Sequence, residues 1–179
     1  KSLEATPVIR VQGQVSANGL KLANEIPILT LLAQHASGST AYTASLGVKG
    51  GQTELNIQSQ LQGLALNLPS PLNKRADELV AMRYENAVQT LGGAGGNKAM
   101  RDVLQFSWGR AFSASYNRDV SGLEPKVLNG RWMVGEGVTP SPAITSDNSV
   151  MAAVNLPSFS VDDWLQVLAP SKSSSQDST

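Results

Sequence analysis

The stretch from residue 104 to residue 116 reads Leu-Gln-Phe-Ser-Trp-Gly-Arg-Ala-Phe-Ser-Ala-Ser-Tyr. Apolar and polar residues alternate through Leu104–Trp108 and again through Phe112–Tyr116. A period of two residues is typical of a β-strand that keeps one face apolar. Gly109-Arg110 between the two runs has the composition of a tight turn, so this stretch predicts a β-hairpin.

The same alternation predicts further strands on both sides of this hairpin. Their apolar positions are Ile9, Val11 and Val15; Tyr42, Ala44, Leu46 and Val48; Leu55, Ile57 and Leu61; Leu64, Leu66 and Leu68; and the runs 127–134 and 150–156. A short strand is also predicted over residues 81–88. Strands joined by short turns pair with their neighbours, and their sheet must cover one apolar face. The predicted fold is therefore mainly β: a curved antiparallel sheet, forming an open groove or a partial barrel.

The run from Leu55 to Leu68 changes phase. Its apolar residues occupy odd positions up to Leu61 and even positions from Leu64 onward. A strand that keeps one face apolar changes parity only where an extra residue is inserted, as in a β-bulge. Gly63 lies at the change, so a strand bent at this glycine is predicted.

One or two short helices are predicted, over residues 28–34 and 161–168. Ser160 followed by Asp163 has the spacing of a capping box, and Trp164, Leu165 and Leu168 share one helical face. Residues 91–97 form a glycine-rich turn in this interpretation. Residues 1–168 are accordingly assigned to a β-rich groove segment of a longer protein, and residues 169–179 to a Ser-rich disordered tail or linker.

Composition excludes several classes of function. Lys and Arg number 14, as do Asp and Glu, so the chain lacks the basic excess of a nucleic-acid-binding protein. It has no cysteine, hence no disulfide or thiolate metal site. No apolar run reaches the length of about 18 residues that a membrane-spanning helix needs.

No catalytic constellation appears in the sequence. His35 is the single histidine, and its place at the end of a helix candidate favours a capping role. Asp162 and Asp163 fit the first turn of a helix, where negative charge is favourable. The glycines of 91–97 lack a following Gly-Lys-Ser/Thr, and no Gly-x-Ser-x-Gly elbow is present. We therefore predict a protein that is not an enzyme and uses no cofactor or metal.

Two stretches are more specific than composition. Residues 57–74 read Ile-Gln-Ser-Gln-Leu-Gln-Gly-Leu-Ala-Leu-Asn-Leu-Pro-Ser-Pro-Leu-Asn-Lys, and residues 156–165 read Leu-Pro-Ser-Phe-Ser-Val-Asp-Asp-Trp-Leu. The first resembles the S-x-L-x-G-L-x-x-x-L-P-x-P-L-x-K signature of YhdP-type proteins in the AsmA-like family. The second is similar to that family's L-P-x-L-x-x-D-x-W segment. Tyr42 stands where the family pattern has tryptophan.

The resemblance implies a segment of a Gram-negative envelope protein that shields and conducts lipids, with phospholipids expected, between the inner and outer membranes. It implies a periplasmic location in a protein anchored in the inner membrane, with lipid acyl chains and neighbouring segments of the same chain as partners. The alternative is a structural or protein-interaction module with a filled core, able to self-associate through its edge strands.

The bulkier apolar members of the alternating sets are the candidate lipid contacts. They are Tyr42, Leu46, Ile57, Leu66, Phe106, Phe112 and Trp132.

Overall fold

The computed structural model describes residues 8–22, 33–49, 52–91, 99–137 and 149–169. These residues form nine strands and two helices. The strands are β1 (Val8–Ser16), β2 (Ala36–Lys49), β3 (Gln52–Ser59), β4 (Leu64–Leu66), β5 (Met82–Leu91), β6 (Ala99–Trp108), β7 (Phe112–Asp119), β8 (Lys126–Val134) and β9 (Ser149–Val154). The helices are α1 (Ala17–Lys21) and α2 (Val161–Leu168).

The described strands build one open sheet in the order β1-β2-β3-β5-β6-β7-β8-β9, with β4 paired to β2. The sheet is not closed into a barrel, and β1 and β9 form its edges. The prediction of a mainly β, open sheet with short helices is thus confirmed.

One pairing departs from the predicted antiparallel pattern. β9 lies parallel to β8, with Asn129 opposite Ser149 and Val134 opposite Val154. Parallel neighbours need a crossover of about a dozen residues or more, and residues 135–148 supply that length. The alternation identified both strands, but it carries no information on their relative direction.

The predicted hairpin is present. Trp108 pairs with Phe112 at the closed end of β6 and β7, and Gly109 in the turn has φ +51°. A positive φ is favourable for glycine because it has no Cβ. The strand expected at residues 81–88 is also present as β5, which is longer than predicted.

The phase change around Gly63 has a direct structural counterpart. Between the pairs Thr43–Gln58 and Gly38–Leu64, β2 advances five residues while the opposite chain advances six. The extra residue reverses parity, as expected. The chain does not form one bent strand, however: a turn separates β3 from β4. Gly63 has φ +89°, and a Cβ there would lie 2.5 Å from the Ser39 carbonyl oxygen, so only glycine fits.

Helix α2 begins and ends where the sequence predicted. The Ser160 hydroxyl accepts a hydrogen bond from the Asp163 N–H at 3.3 Å. The Trp164 indole donates to the Ser70 carbonyl oxygen at 3.1 Å, which fastens the helix to the segment that follows β4. The other helix candidate, 28–34, lies largely outside the described residues, as do residues 92–97 of the glycine-rich turn and residues 170–179 of the Ser-rich tail.

Ala33, Val88 and Val120 are buried separately, whereas the main hydrophobic core cluster of the described residues lies at one end of the sheet. We call its buried members the end cluster: Ala17, Leu61, Leu64, Leu66, Leu68 and Trp108. Residues 60–81 supply most of these side chains. Met82, Phe106 and Phe112 of the sheet, and Val167 of α2, pack against them.

Lys74 lies in the charged stretch 73–80 but is not at the surface. Its side chain is buried, with 2% of the residue exposed. The ammonium Nζ donates to the Leu64 carbonyl oxygen at 2.7 Å and to the Arg75 carbonyl oxygen at 2.9 Å. Burial lowers the pKa of Lys74, an effect that the negative charges of Glu78 and Asp77 oppose. Those two acids are exposed.

Candidate functional site

One face of the sheet carries an unbroken row of apolar side chains. In register, residues directly opposite each other on adjacent strands project to the same side. The central row takes one residue from each of eight strands: Val11, Ala44, Ile57, Tyr84, Phe106, Ala114, Trp132 and Ala152. We call the side on which this row lies the apolar face.

The rows on either side extend this surface. One consists of Ile9, Leu46, Leu55, Asn86, Leu104, Tyr116, Gly130 and Val150. The other consists of Gly13, Tyr42, Ser59, Met82, Trp108, Phe112, Val134 and Val154, and it adjoins the end cluster. The apolar face is therefore bounded on one side by the end cluster.

The opposite side of the sheet, the polar face, has a different composition. Its residues include Gln12, Thr43, Ser45, Asn56, Gln58, Arg83, Glu85, Gln105, Ser107, Ser113, Ser115 and Arg131. This distribution is that of a sheet with one solvated face and one face intended for burial.

The apolar face is nevertheless partly open in the described chain. Val11 is 46% exposed, Trp132 41% and Val150 53%. The central strands contribute half-buried side chains, such as Ile57 and Phe106. Large exposed apolar surfaces are uncommon on soluble proteins and mark sites of interaction with a lipid, a ligand or another protein.

Six of the seven residues predicted from the sequence lie on the apolar face: Tyr42, Leu46, Ile57, Phe106, Phe112 and Trp132. The ring centroids of Phe106 and Phe112 are 6.0 Å apart, and those of Phe112 and Trp132 are 6.1 Å apart. The three rings thus form a continuous aromatic stripe across β6, β7 and β8. Their contact with lipid remains a prediction.

Leu66 lies elsewhere. It belongs to β4, is 4% exposed and packs within the end cluster. Leu66 pairs with Ala36, at the end of β2 far from Ala44, which is the partner of Ile57, and the end cluster covers it there. Leu66 therefore helps to build the boundary of the apolar face.

Two tyrosines, Tyr116 and Tyr42, each lie across a glycine of the neighbouring strand, an arrangement that the sequence analysis did not predict. A Cβ on Gly130 would lie 2.6 Å from Cδ1 of Tyr116, and one on Gly13 would lie 3.0 Å from Cε1 of Tyr42. Each ring thus occupies space that only a missing side chain leaves free. The Trp132 indole donates to the Tyr116 hydroxyl at 2.6 Å, which holds this ring in place. The available signal was a glycine inside an otherwise regular strand.

A second missed feature is a group of polar side chains on the apolar face, here called the polar cluster: Asn86, Asp102 and Arg118. Arg118 donates from Nε to Asp102 Oδ1 at 2.9 Å and from Nη2 to Asp102 Oδ2. Asn86 donates its amide to Asp102 Oδ2 at 2.7 Å. The hydrogen bonds to Asp102 raise the pKa of Arg118, against the effect of burial. Nearby, burial raises the pKa of the Tyr84 phenol.

The described residues include few side chains placed for metal binding or catalysis. They contain no group of three or more His, Asp or Glu side chains placed to hold a metal ion. Asp162 and Asp163 lie exposed in the first turn of α2, as predicted. Among the described residues, no helix has the length and apolar character needed to cross a membrane.

In the described part of the chain, these features define a class: an open, mainly antiparallel β-sheet protein whose apolar face is partly exposed. A family model described as "YhdP protein" matches residues 4–179. The chain therefore belongs to the YhdP family, and the resemblance drawn from residues 57–74 and 156–165 is confirmed. This family is not a known enzyme family. Comparisons with curated proteins and with solved structures gave no significant match.

Proposed function

We propose that this chain is a segment of a Gram-negative envelope protein that shields and conducts phospholipids between the inner and outer membranes. The acyl chains lie on the apolar face. The observation that carries the proposal is the central row, which is apolar on every one of eight adjacent strands yet partly exposed. Membership of the YhdP family supports the same conclusion.

The dimensions of the apolar face suit an extended hydrocarbon. Its rows run across the strands, and eight strands at a spacing of about 4.8 Å span about 34 Å. Along the strands, the three rows occupy about 14 Å. The apolar face is therefore an elongated, narrow surface rather than a pocket, so it can accommodate acyl chains of different lengths.

Burial of hydrocarbon supplies the binding free energy. Each CH₂ removed from water contributes about 0.8 kcal/mol, so a chain can be held without a specific polar contact. A smooth apolar surface also has no deep energy well at any one point, which favours movement along it. No reaction is required, and the protein is non-enzymatic in this proposal.

The edges of the sheet fit a place within a longer assembly. Among the described strands, β1 and β9 each pair on one side only. An edge strand presents N–H and C=O groups with which another strand can pair. In this proposal, neighbouring segments of the same protein pair there and continue the apolar face in the periplasm.

Photo-crosslinking in cells tests the proposal. A photoreactive residue is placed at Leu46, Ile57 or Phe106, all on the apolar face, in the protein expressed in a Gram-negative host. Gln58 and Gln105 are the matched controls, because each follows or precedes a probe by one residue and lies on the polar face.

Lipid adducts at the apolar positions alone are the expected result. Protein adducts at those positions would support the alternative, a structural module whose apolar face is covered by another polypeptide. Equal lipid adducts on both faces would indicate non-specific contact with membranes and would count against a conduit.

A further inference from the structure

The polar cluster is the feature that an acyl-chain surface does not explain. Asn86 of β5, Asp102 of β6 and Arg118 of β7 project from the same face as Ile57 and Phe106. Burying charge on an apolar surface costs free energy unless each group is paired. Ionisable groups within an apolar environment therefore often mark a functional site.

Hydrogen bonds within the polar cluster leave one of its buried acceptors without a donor. Asp102 is 3% exposed and accepts three hydrogen bonds, from Arg118 twice and from Asn86 once. Asn86 Oδ1 is buried and has no hydrogen-bond partner in the described part of the chain. An amide oxygen in this position lacks a donor, and leaving it without one costs about 1–3 kcal/mol.

Arg118, in contrast, has hydrogen-bond donors that Asp102 does not use. Asp102 engages Arg118 through Nε and Nη2, which is the side-on arrangement. In a planar guanidinium, the two N–H groups of Nη1 then point away from the carboxylate. The Arg118 side chain is 22% exposed, against 5% for Asp102, so the guanidinium is the accessible member of the pair.

The position of the polar cluster on the apolar face indicates where the head of a bound lipid would lie. The end cluster bounds one side of the apolar face, next to Trp108 and Met82. Asp102 and Arg118 pair one row beyond Leu104 and Tyr116, on the opposite side. A lipid whose tails lie along the central row would therefore have its polar head at the side of Arg118.

From these observations we propose that the polar cluster binds the head of a phospholipid that carries N–H or O–H donors. Arg118 donates to the phosphate, and Asn86 Oδ1 accepts from the ammonium or hydroxyl of the head. Asp102 holds both side chains in position. The Asp102–Arg118 pair is neutral overall, which suits a zwitterionic head. This inference rests on the function proposed above and adds a preference among phospholipids to it.

A matched pair of lipids tests the preference. The purified chain is incubated with vesicles of equal parts phosphatidylethanolamine and phosphatidylcholine that share the same acyl chains. Retained lipid is then extracted and counted by mass spectrometry. The two heads differ in that the choline has no N–H donor. We expect about fivefold more phosphatidylethanolamine, the ratio given by one net hydrogen bond of about 1 kcal/mol.

Variants assign the preference to the cluster. Asn86→Leu removes the buried acceptor and should bring the ratio close to one, chiefly by lowering the phosphatidylethanolamine retained. The double variant Arg83→Gln/Glu85→Gln is the control, because it removes a 3.1 Å ion pair from the polar face and should leave the ratio unchanged. Circular dichroism confirms that each variant is folded.

The outcomes separate the two proposals. Lipid retained by the wild type at a ratio of one overturns the headgroup site while leaving the conduit intact. No lipid retained at all overturns both. A fivefold ratio that persists in Asn86→Leu shows that the discrimination arises elsewhere, and it equally overturns the assignment. The wild-type ratio can thus overturn the headgroup site by itself, whereas assigning a measured preference to the cluster requires the folded Asn86→Leu variant.

Discussion

Replacement of Lys74 by methionine tests how a buried ammonium holds residues 60–81 against the sheet. The substitution keeps an unbranched side chain of similar volume and removes the charge. Two hydrogen bonds are lost, to the carbonyl oxygens of Leu64 and Arg75. The Leu64 bond is buried, whereas Arg75 lies at the surface, where water can replace the lost donor.

The expected loss in the free energy of unfolding is set mainly by the buried Leu64 carbonyl group. Leaving the Leu64 acceptor without its donor costs about 1–3 kcal/mol. Removing the ammonium relieves the cost of its desolvation, which offsets part of this loss. We therefore expect Lys74→Met to lower the free energy of unfolding at pH 7 by about 1–2 kcal/mol.

The pH dependence gives the sharper test. Because burial lowers the pKa of Lys74 below its ordinary 10.5, the unfolded chain binds more protons than the folded chain between those two values. The free energy of unfolding then rises with pH in this window, by at most about 1.4 kcal/mol per pH unit for one proton. The methionine variant lacks this contribution, so the advantage of the wild type should grow as the pH approaches 10.

Urea unfolding at pH 7, 9 and 10, followed by tryptophan fluorescence, measures the difference. Trp108 lies in the end cluster and reports on the environment of interest. Arg75→Met is the control, because the Arg75 side chain is 73% exposed and pairs with the exposed Asp77. It should change stability by less than about 1 kcal/mol at every pH. A wild-type advantage that stays constant or shrinks from pH 7 to 10 would refute the argument.

Two further predictions concern single local contacts. Gly130→Ala places a Cβ 2.6 Å from the Tyr116 ring, so we expect a loss of about 1–3 kcal/mol in urea unfolding. In a Tyr116→Ala background the same change should cost clearly less, because only the approach to the Ser115 carbonyl oxygen at 3.2 Å remains, and a full cost there would show that the ring is not the obstacle. Ser160→Ala removes the N-cap bond of α2. It should reduce hydrogen-exchange protection of Val161–Leu168 by about 1 kcal/mol, and unchanged protection would mean that packing alone holds the helix.

Local patterns in the sequence were sufficient for much of the fold. Alternation over two residues identified the strands that hold Phe106, Phe112 and Trp132, and it assigned these side chains to one face. The capping spacing of Ser160 and Asp163 gave the bounds of α2. Both signals depend on residues near each other in the chain, where the backbone geometry of a strand or a helix alone dictates which side chains are neighbours.

Local patterns predicted only part of the candidate site. Choosing the larger apolar residue of each set gave six positions on the apolar face, but the same rule also selected Leu66. That residue follows a turn, after which the strand joins a different part of β2. Alternation reveals which residues share a side of one strand, and it does not reveal which side becomes the core.

The sequence by itself thus determined the strands, the change of phase at Gly63 and the family. Only the tertiary structure decided the parallel direction of β9, the burial of Lys74 and the meeting of Asn86, Asp102 and Arg118. The reason is the same in each case. These features depend on register between strands separated by turns and long connections, and register is set by the pairing of whole strands rather than by any short pattern.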